Sequence, residues 1–284
     1  MEQLCTDSLK KSFAGCNRLI KCHSSLMIME QRESFNDAAA LYDEARPSYP
    51  DEVIDWVISR TKISKDKTLL EIGAGTGQAT IKFAERGYRI HCIEMGRNLA
   101  DILKQKVKLY DVTVDVSSFE AWEPENPFQT LFIFCATAFH WIDHNVRYKK
   151  CHDLLEADGY LVLLWHVLPE IEMPAVKKAF DLLWEYYPKE RKVQEAKVDI
   201  KNERKLEIMD GGLFTLEHYL DYKWNLPPQT RETITKTFFS QSAYLSLEKE
   251  KREVLSTKVE ELFKNLDDVV ETELYTTVYV AKKK

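Results

Sequence analysis

The sequence predicts a doubly wound, mostly parallel α/β sheet of seven strands, from three observations. Short apolar runs of strand length alternate with helical patterns from Phe35 onward. One of those runs, 131–136, is wholly apolar, as a central parallel strand should be. A third run, Leu69-Leu-Glu-Ile72, ends in glycines at alternate positions, Gly73, Gly75 and Gly77. Glycine lets the backbone turn sharply there and approach a ligand closely.

Taken in order, residues 51–60 read as a helix, with Ile54, Trp56, Val57 and Ile58 as its apolar surface. Residues 68–72 form the first strand. Residues 78–86 form the following helix, whose free N–H groups would face the ligand of the loop. The second strand covers 88–93 and ends at Glu94, and a helix follows over 98–106. A third strand at 112–116 and the fourth at 131–136 precede a helix over 146–155. A turn at Gly159 opens the fifth strand, 160–165. Beyond His166 the rhythm changes. A helix rich in large apolar residues covers 174–187, and a charged run at 190–205 reads as a solvated loop or helix face. A strand at 214–224, a pair of helices in 230–264 joined near Ser246, and a strand-like alternation over 269–281 complete the chain. Residues 35–284 form one domain, with a helical substrate cover in about 168–212 and 230–265. Residues 1–34 form a flexible extension.

A net charge of -6 gives no general attraction to nucleic acid or anionic membrane. No apolar run approaches the roughly 20 residues needed to span a bilayer. The six cysteines show neither paired nor metal-ligand spacing, and Cys92 and Cys135 sit inside apolar runs as reduced core thiols. These features indicate a reducing, cytoplasmic setting with no metal. Between Ser8 and Met29 the chain is basic and free of acidic residues, weakly like a mitochondrial transit segment, but Glu2 and Asp7 count against that. Nothing in the sequence specifies an oligomeric state.

The glycine loop signals a nucleotide cofactor. A dinucleotide loop normally reads G-x-G-x-x-G, whereas this one reads G-x-G-x-G with Glu71 two positions before the first glycine. A carboxylate so close is of little use to a pyrophosphate. S-adenosylmethionine, which carries an ammonium and a sulfonium, tolerates it well, and loop amides could meet its carboxylate. Glu94 then stands at the end of the second strand, placed to accept both ribose hydroxyls.

Residues 69–77 with Glu94 resemble the class I S-adenosylmethionine-dependent methyltransferases, which share a Rossmann-like fold. Three further stretches resemble the subgroup of trans-aconitate methyltransferase-like proteins: Ala40-Leu-Tyr-Asp-Glu-Ala-Arg-Pro-Ser-Tyr-Pro50, Ala138-Phe-His-Trp-Ile142 and Ser242-Ala-Tyr244. The resemblance implies that Gly73, Ala74 and Gly75 line the methionine end, that Glu71 helps orient it, and that Gly77 belongs to the cofactor-binding loop. It implies that Glu94 binds ribose and that Met95 packs on adenine. Ser118 and Phe119 stand where the family has an acidic residue followed by a small one, so the adenine contact there departs from the pattern. Cys135 and Ala136 would end the fourth strand beneath the cofactor, with His140 near the transferable methyl. Tyr42 and Arg46 would close over the site, Arg46 pairing with the cofactor carboxylate.

Blander readings compete with these. Arg46 could pair with Asp43 on the surface, Tyr42 could anchor a helix, and the aromatic 180–187 stretch favours helix core over a substrate cage. His140 is the one candidate catalytic residue, as a contact or a base. Trp141, Trp165 and Tyr244 are candidate substrate contacts. The expected activity is methyl transfer to a small-molecule acceptor, most plainly an oxygen of a carboxylate, which needs no base at neutral pH. Methylation of nitrogen on a metabolite or protein, and a non-catalytic cofactor binder, are the alternatives.

Overall fold

The computed structural model describes residues 34–124, 128–167, 173–187, 199–266 and 269–284. The expectations for residues 1–33 and 190–198 lie outside them. Helix α1 (Ala39–Ala45) is followed by α2 (Asp51–Thr61). Asp51 and Glu52 occupy the first turn of α2, where the helix dipole favours negative charge. Lys62 ends it in the left-handed region, φ 49°.

The alternating part then runs β1 (Thr68–Ile72), α3 (Thr80–Ala84), β2 (Arg89–Glu94), α4 (Arg97–Lys106), β3 (Val112–Val116) and β4 (Thr130–Ala136). A 3-10 turn (Phe139–Trp141) leads to α5 (His144–Leu154), capped by Asp143, whose side chain accepts from the amide of Asn145. Strand β5 (Leu155–Val167) follows, then α6 (Pro174–Trp184), α7 (Ile200–Met209) and β6 (Phe214–Asn225). The remainder is β7 (Gln229–Thr230), α8 (Arg231–Phe239), α9 (Ser242–Leu245), α10 (Lys249–Phe263), β8 (Val269–Val270) and β9 (Glu273–Lys283).

Seven strands form one sheet in the order β3-β2-β1-β4-β5-β9-β6. The first five are parallel, and β9 runs antiparallel between β5 and β6. The order reverses between β1 and β4, so the connections after those strands leave on opposite sides and open a crevice at their carboxyl ends. The sheet is buried on both faces, as the apolar strands require. Leu69, Ile90, Phe134 and Val162 pack on one side against α2 and Phe83 of α3. Leu70, Ile93, Cys135 and Leu163 pack on the other with Phe139 and Tyr279. The cover has its own core of Val176, Leu183, Phe238, Leu255 and Phe263, so its helices hold each other as well as the sheet.

Four expectations are corrected. The helix after the glycine loop is five residues long rather than spanning 78–86, because turns occupy the residues on each side. No turn opens the fifth strand at Gly159: β5 already begins at Leu155, and Asp158, φ 64°, and Gly159 both lie within it, where its register with β4 shifts. A Cβ on Gly159 would sit 3.0 Å from the Glu156 carbonyl and from Leu155 Cδ2, so close packing requires glycine there. The 230–264 segment is three helices, broken around Ser240 and Ser246, and 269–281 divides into β8 and β9. The charged run is not simply solvated: Arg204 and Lys205 on α7 fold their cations over the rings of Trp165 and Tyr219.

Candidate active site

The crevice between β1 and β4 holds a cavity of about 1130 Å³. A second, of about 210 Å³, adjoins it beyond the end of β2. Tyr42, Arg46, Gly73, Gly75, Ala136, Thr137 and His140 border both.

The glycine loop forms the floor between them. Gly73, Gly75 and Gly77 all have positive φ, at 68°, 58° and 93°. Their amides are spent inside the protein. Gly73 and Ala74 donate to the Ile93 carbonyl at 2.8 and 3.3 Å, Gly75 to Glu94 Oε2 at 2.8 Å, and Gly77 to the Ala74 carbonyl at 3.0 Å. The amides of Gly73, Ala74, Gly75 and Gly77 are thus already bonded within the protein, and the helix that follows spans five residues.

Glu71 borders the large cavity but is 1 % exposed. Its Oε2 accepts from Thr80 Oγ1 at 2.6 Å and from the Cys92 thiol at 3.7 Å. Burial pushes its pKa up to about 8, so at neutral pH it is mainly a neutral acid rather than the carboxylate its position in the sequence suggests. Glu94 is held between the amides of Gly75 and Gly96, each at 2.8 Å, and faces the smaller cavity. Met95, Ser118 and Phe119 line that cavity too. Ser118 Oγ accepts from the Ala121 amide at 3.3 Å.

Arg46 does not pair with Asp43, which bonds Lys106 instead. Its Nη2 donates to the Ser240 carbonyl at 2.8 Å, tying α1 to the cover, and its Cζ lies 5.2 Å from the Tyr42 ring centre. Its Nε is enclosed without an acceptor, and burial lowers its pKa. His140 Nδ1 accepts from Trp165 Nε1 at 3.2 Å. Desolvation by the protein around the cavity mouth, with Arg204 and Arg147 near, lowers its pKa to about 3. Its exposed surface belongs to the cavity.

Not every candidate reaches a cavity. Gly77 is a packing glycine: a Cβ there would stand 2.6 Å from Leu103 Cδ1. Cys135 is fully buried beneath the floor. Tyr244 stacks against Phe239, ring centres 4.8 Å apart, inside the cover. Trp141 borders the smaller cavity beside Phe35 rather than the large one, while Trp165 lines the large one.

Four residues of the large cavity were not anticipated. Tyr49 Oη and Thr137 Oγ1 are 2.7 Å apart, and Thr137 has φ 56°, strain that a β-branched residue rarely tolerates. His166 stacks on Tyr49 at 4.2 Å and 19°, with Nδ1 bonded to Thr276 Oγ1 at 3.0 Å. Burial lowers its pKa to about 3. Arg204 stacks over Trp165 at 3.9 Å. Only its spacing one helical turn before the buried Ile208 could have marked Arg204 as inward-facing.

A family profile described as "Methyltransferase domain" matches residues 69–159. An uncharacterized methyltransferase of Schizosaccharomyces pombe is 28% identical over 53% of this chain and 59% of its own length. An uncharacterized methyltransferase-like protein of the same yeast is 25% identical over 87% of this chain and 92% of its own. An uncharacterized methyltransferase of Mycobacterium bovis is 29% identical over 48% and 54%. The chain thus spans little more than half of two of these relatives and nearly all of the third. Among solved structures, the YcgJ protein from Bacillus subtilis covers 81% of this chain, and 97% of its own chain, with TM-score 0.51 and 15% identity, a likeness of fold.

Proposed function

We propose, from the premise that the chain carries a class I S-adenosylmethionine-dependent methyltransferase domain, that it methylates a carboxylate of a small molecule. The chemistry S-adenosylmethionine supplies is an electrophilic methyl group: an S–CH3 bond breaks as an O–CH3 bond forms, leaving a neutral thioether. The residues suit that cofactor. Glu94, fixed by two amides, lines the smaller cavity where ribose hydroxyls would lie, with Met95 and Phe119 as apolar walls and Ser118 as a polar one. Arg46, which borders both cavities, is the donor for the amino-acid carboxylate. Gly73 must lack a Cβ, since one would meet Ala138 Cβ at 2.5 Å. Tyr42 stands 3.6 Å from where a Gly75 Cβ would be and closes the loop from above.

The observation that carries the choice of acceptor is that, among the described residues, neither His140 nor Glu71 is placed to act as a base. His140 uses its one basic nitrogen on Trp165, and Glu71 is protonated and bonded to Thr80. A carboxylate needs no proton removed. The protein's part is to align the acceptor and exclude water. The likeness of the 40–50 and 138–142 stretches to the trans-aconitate methyltransferase-like proteins supports the same reading, since both stretches border the cavities.

The test is incubation of the full chain with methyl-tritiated S-adenosylmethionine and a deproteinised metabolite extract. Label released as methanol by mild alkali is expected of an ester. Label that survives alkali on an amine would overturn the carboxylate reading and favour nitrogen transfer.

A further inference from the structure

Arg204 is enclosed beside the large cavity, and no described carboxylate pairs with it. Phenols (Tyr279, which bonds it, Tyr148 and Tyr219), the face of Trp165 and the neutral His140 lie around it, and its Nη1 has no acceptor among the described residues. Other arginines of the chain behave differently: Arg86, Arg89 and Arg147 each reach a carboxylate. A guanidinium taken out of water without an anion is costly unless a ligand provides one. The rest of the wall cannot. Its histidines, His140 and His166, are neutral, Glu71 is protonated, and the lining residues Glu44, Glu271 and Glu273 are exposed at the rim. Two unpaired guanidiniums, Arg46 and Arg204, therefore face a site that is to hold two ligands. With Arg46 taken by the cofactor's carboxylate, Arg204 is left for an anion on the acceptor. The remainder of the cavity, under the cover, is largely apolar: Val176, Phe180, Ile234, Phe238 and Leu274 line it, with Thr233, Thr237 and Thr272 as neutral polar residues among them.

We infer that the acceptor is a monocarboxylic acid with an extended apolar body, its carboxylate anchored by Arg204 and its body lying against α6 and α8. This rests on the carboxylate reading above. A polyanionic acceptor would leave its further charges against the apolar wall, and a cationic one would meet both arginines. Methylation of the anchored carboxylate would also remove the charge that Arg204 holds, so the ester binds less well than the acid and leaves.

The experiment measures binding rather than turnover. The full chain, saturated with S-adenosylhomocysteine, is titrated calorimetrically with hexanoate, octanoate, decanoate and dodecanoate, then with dodecanol. Affinity is expected to rise roughly fourfold per methylene along the acid series. In R204M the affinity for dodecanoate should fall about thirtyfold or more, that for dodecanol should change little, and R204K should recover part of the loss. Flat affinity along the series overturns the apolar body, and the series needs no variant that might fail to fold. Equal dodecanoate binding by wild type and R204M overturns the anchor. Dodecanoate bound in the expected way but never labelled by tritiated S-adenosylmethionine leaves the anchor standing and removes the ester-forming reading instead.

Discussion

The indole Nε1 of Trp165 donates to Nδ1 of His140 at 3.2 Å, and that bond determines what His140 can do. A neutral imidazole has one basic nitrogen, and here it is already taken. The remaining ring nitrogen carries the proton and offers a donor to the cavity. Arg204, stacked on the same indole, adds a positive charge that further disfavours the imidazolium.

His140 is therefore expected to act as a neutral donor and wall, not as a base. With its pKa near 3, no acid limb of the rate profile between pH 5 and 7 should belong to it. H140Q is expected to lower kcat/KM by about fivefold, the worth of one hydrogen bond, and to leave the shape of the profile unchanged. Rate profiles of the wild type and H140Q over that range check this. A wild-type limb that disappears in the variant would show that His140 takes a proton.

Glu71 makes stability depend on pH in the direction opposite to most carboxylates. Its folded pKa is about 8 against 4.5 for the free side chain, so the folded chain holds a proton that the unfolded chain releases. Its contribution is whole below about pH 4.5 and is lost as pH rises toward 8. The loss is on the order of a few kcal/mol in total. E71Q, which keeps the size and the bond from Thr80, should remove it. Thermal melts from pH 5 to 8 should show the wild type losing Tm relative to E71Q as pH rises, and parallel curves would refute the shift.

What was legible in the sequence is local. Glu71, the glycines and Glu94 sit at strand ends that apolar runs identify, and the mostly parallel sheet follows from the alternation of strands and helices. The misses are long-range. Tyr49 and His166 meet only because β5 delivers His166 under the loop that precedes α2, and no periodicity reports which face of a fully apolar strand His166 takes. Arg204 hid inside a charged run, because charge patterning describes a helix face and not what packs on it. The bonding of the loop amides is hidden for a different reason. The sequence shows that they exist, but not that Ile93 and Glu94 already accept from them.

Two glycines of the loop should separate packing from binding. At Gly77 a Cβ would press on Leu103, which is fully buried and cannot yield, in a backbone with φ 93°. G77A should destabilise by about 2–4 kcal/mol while the molecules that remain folded bind S-adenosylhomocysteine as before. At Gly73, whose Cβ would strike Ala138 at the cavity wall, G73A should cost affinity as well as stability. Melts and calorimetric titrations at a temperature where both variants are folded check this, and equal loss of affinity in the two would defeat the distinction.

Arg46 is a donor beside the loop that borders both cavities. One of its terminal nitrogens is committed to the Ser240 carbonyl at 2.8 Å, while Nε is enclosed without an acceptor. Loss of a charge-assisted hydrogen bond of this kind costs about 1.5–3 kcal/mol, so R46Q should weaken S-adenosylhomocysteine binding about tenfold to a hundredfold. R46K, which keeps the charge but not the planar fork, should fall between. A general loosening of the cover through the lost Ser240 contact would also weaken binding, so the comparison ligand matters. 5′-Methylthioadenosine has the nucleoside but no amino-acid tail, and it should bind R46Q and the wild type alike. If its affinity falls in parallel with that of S-adenosylhomocysteine, Arg46 acts by holding α1 against α8 and not by meeting a carboxylate.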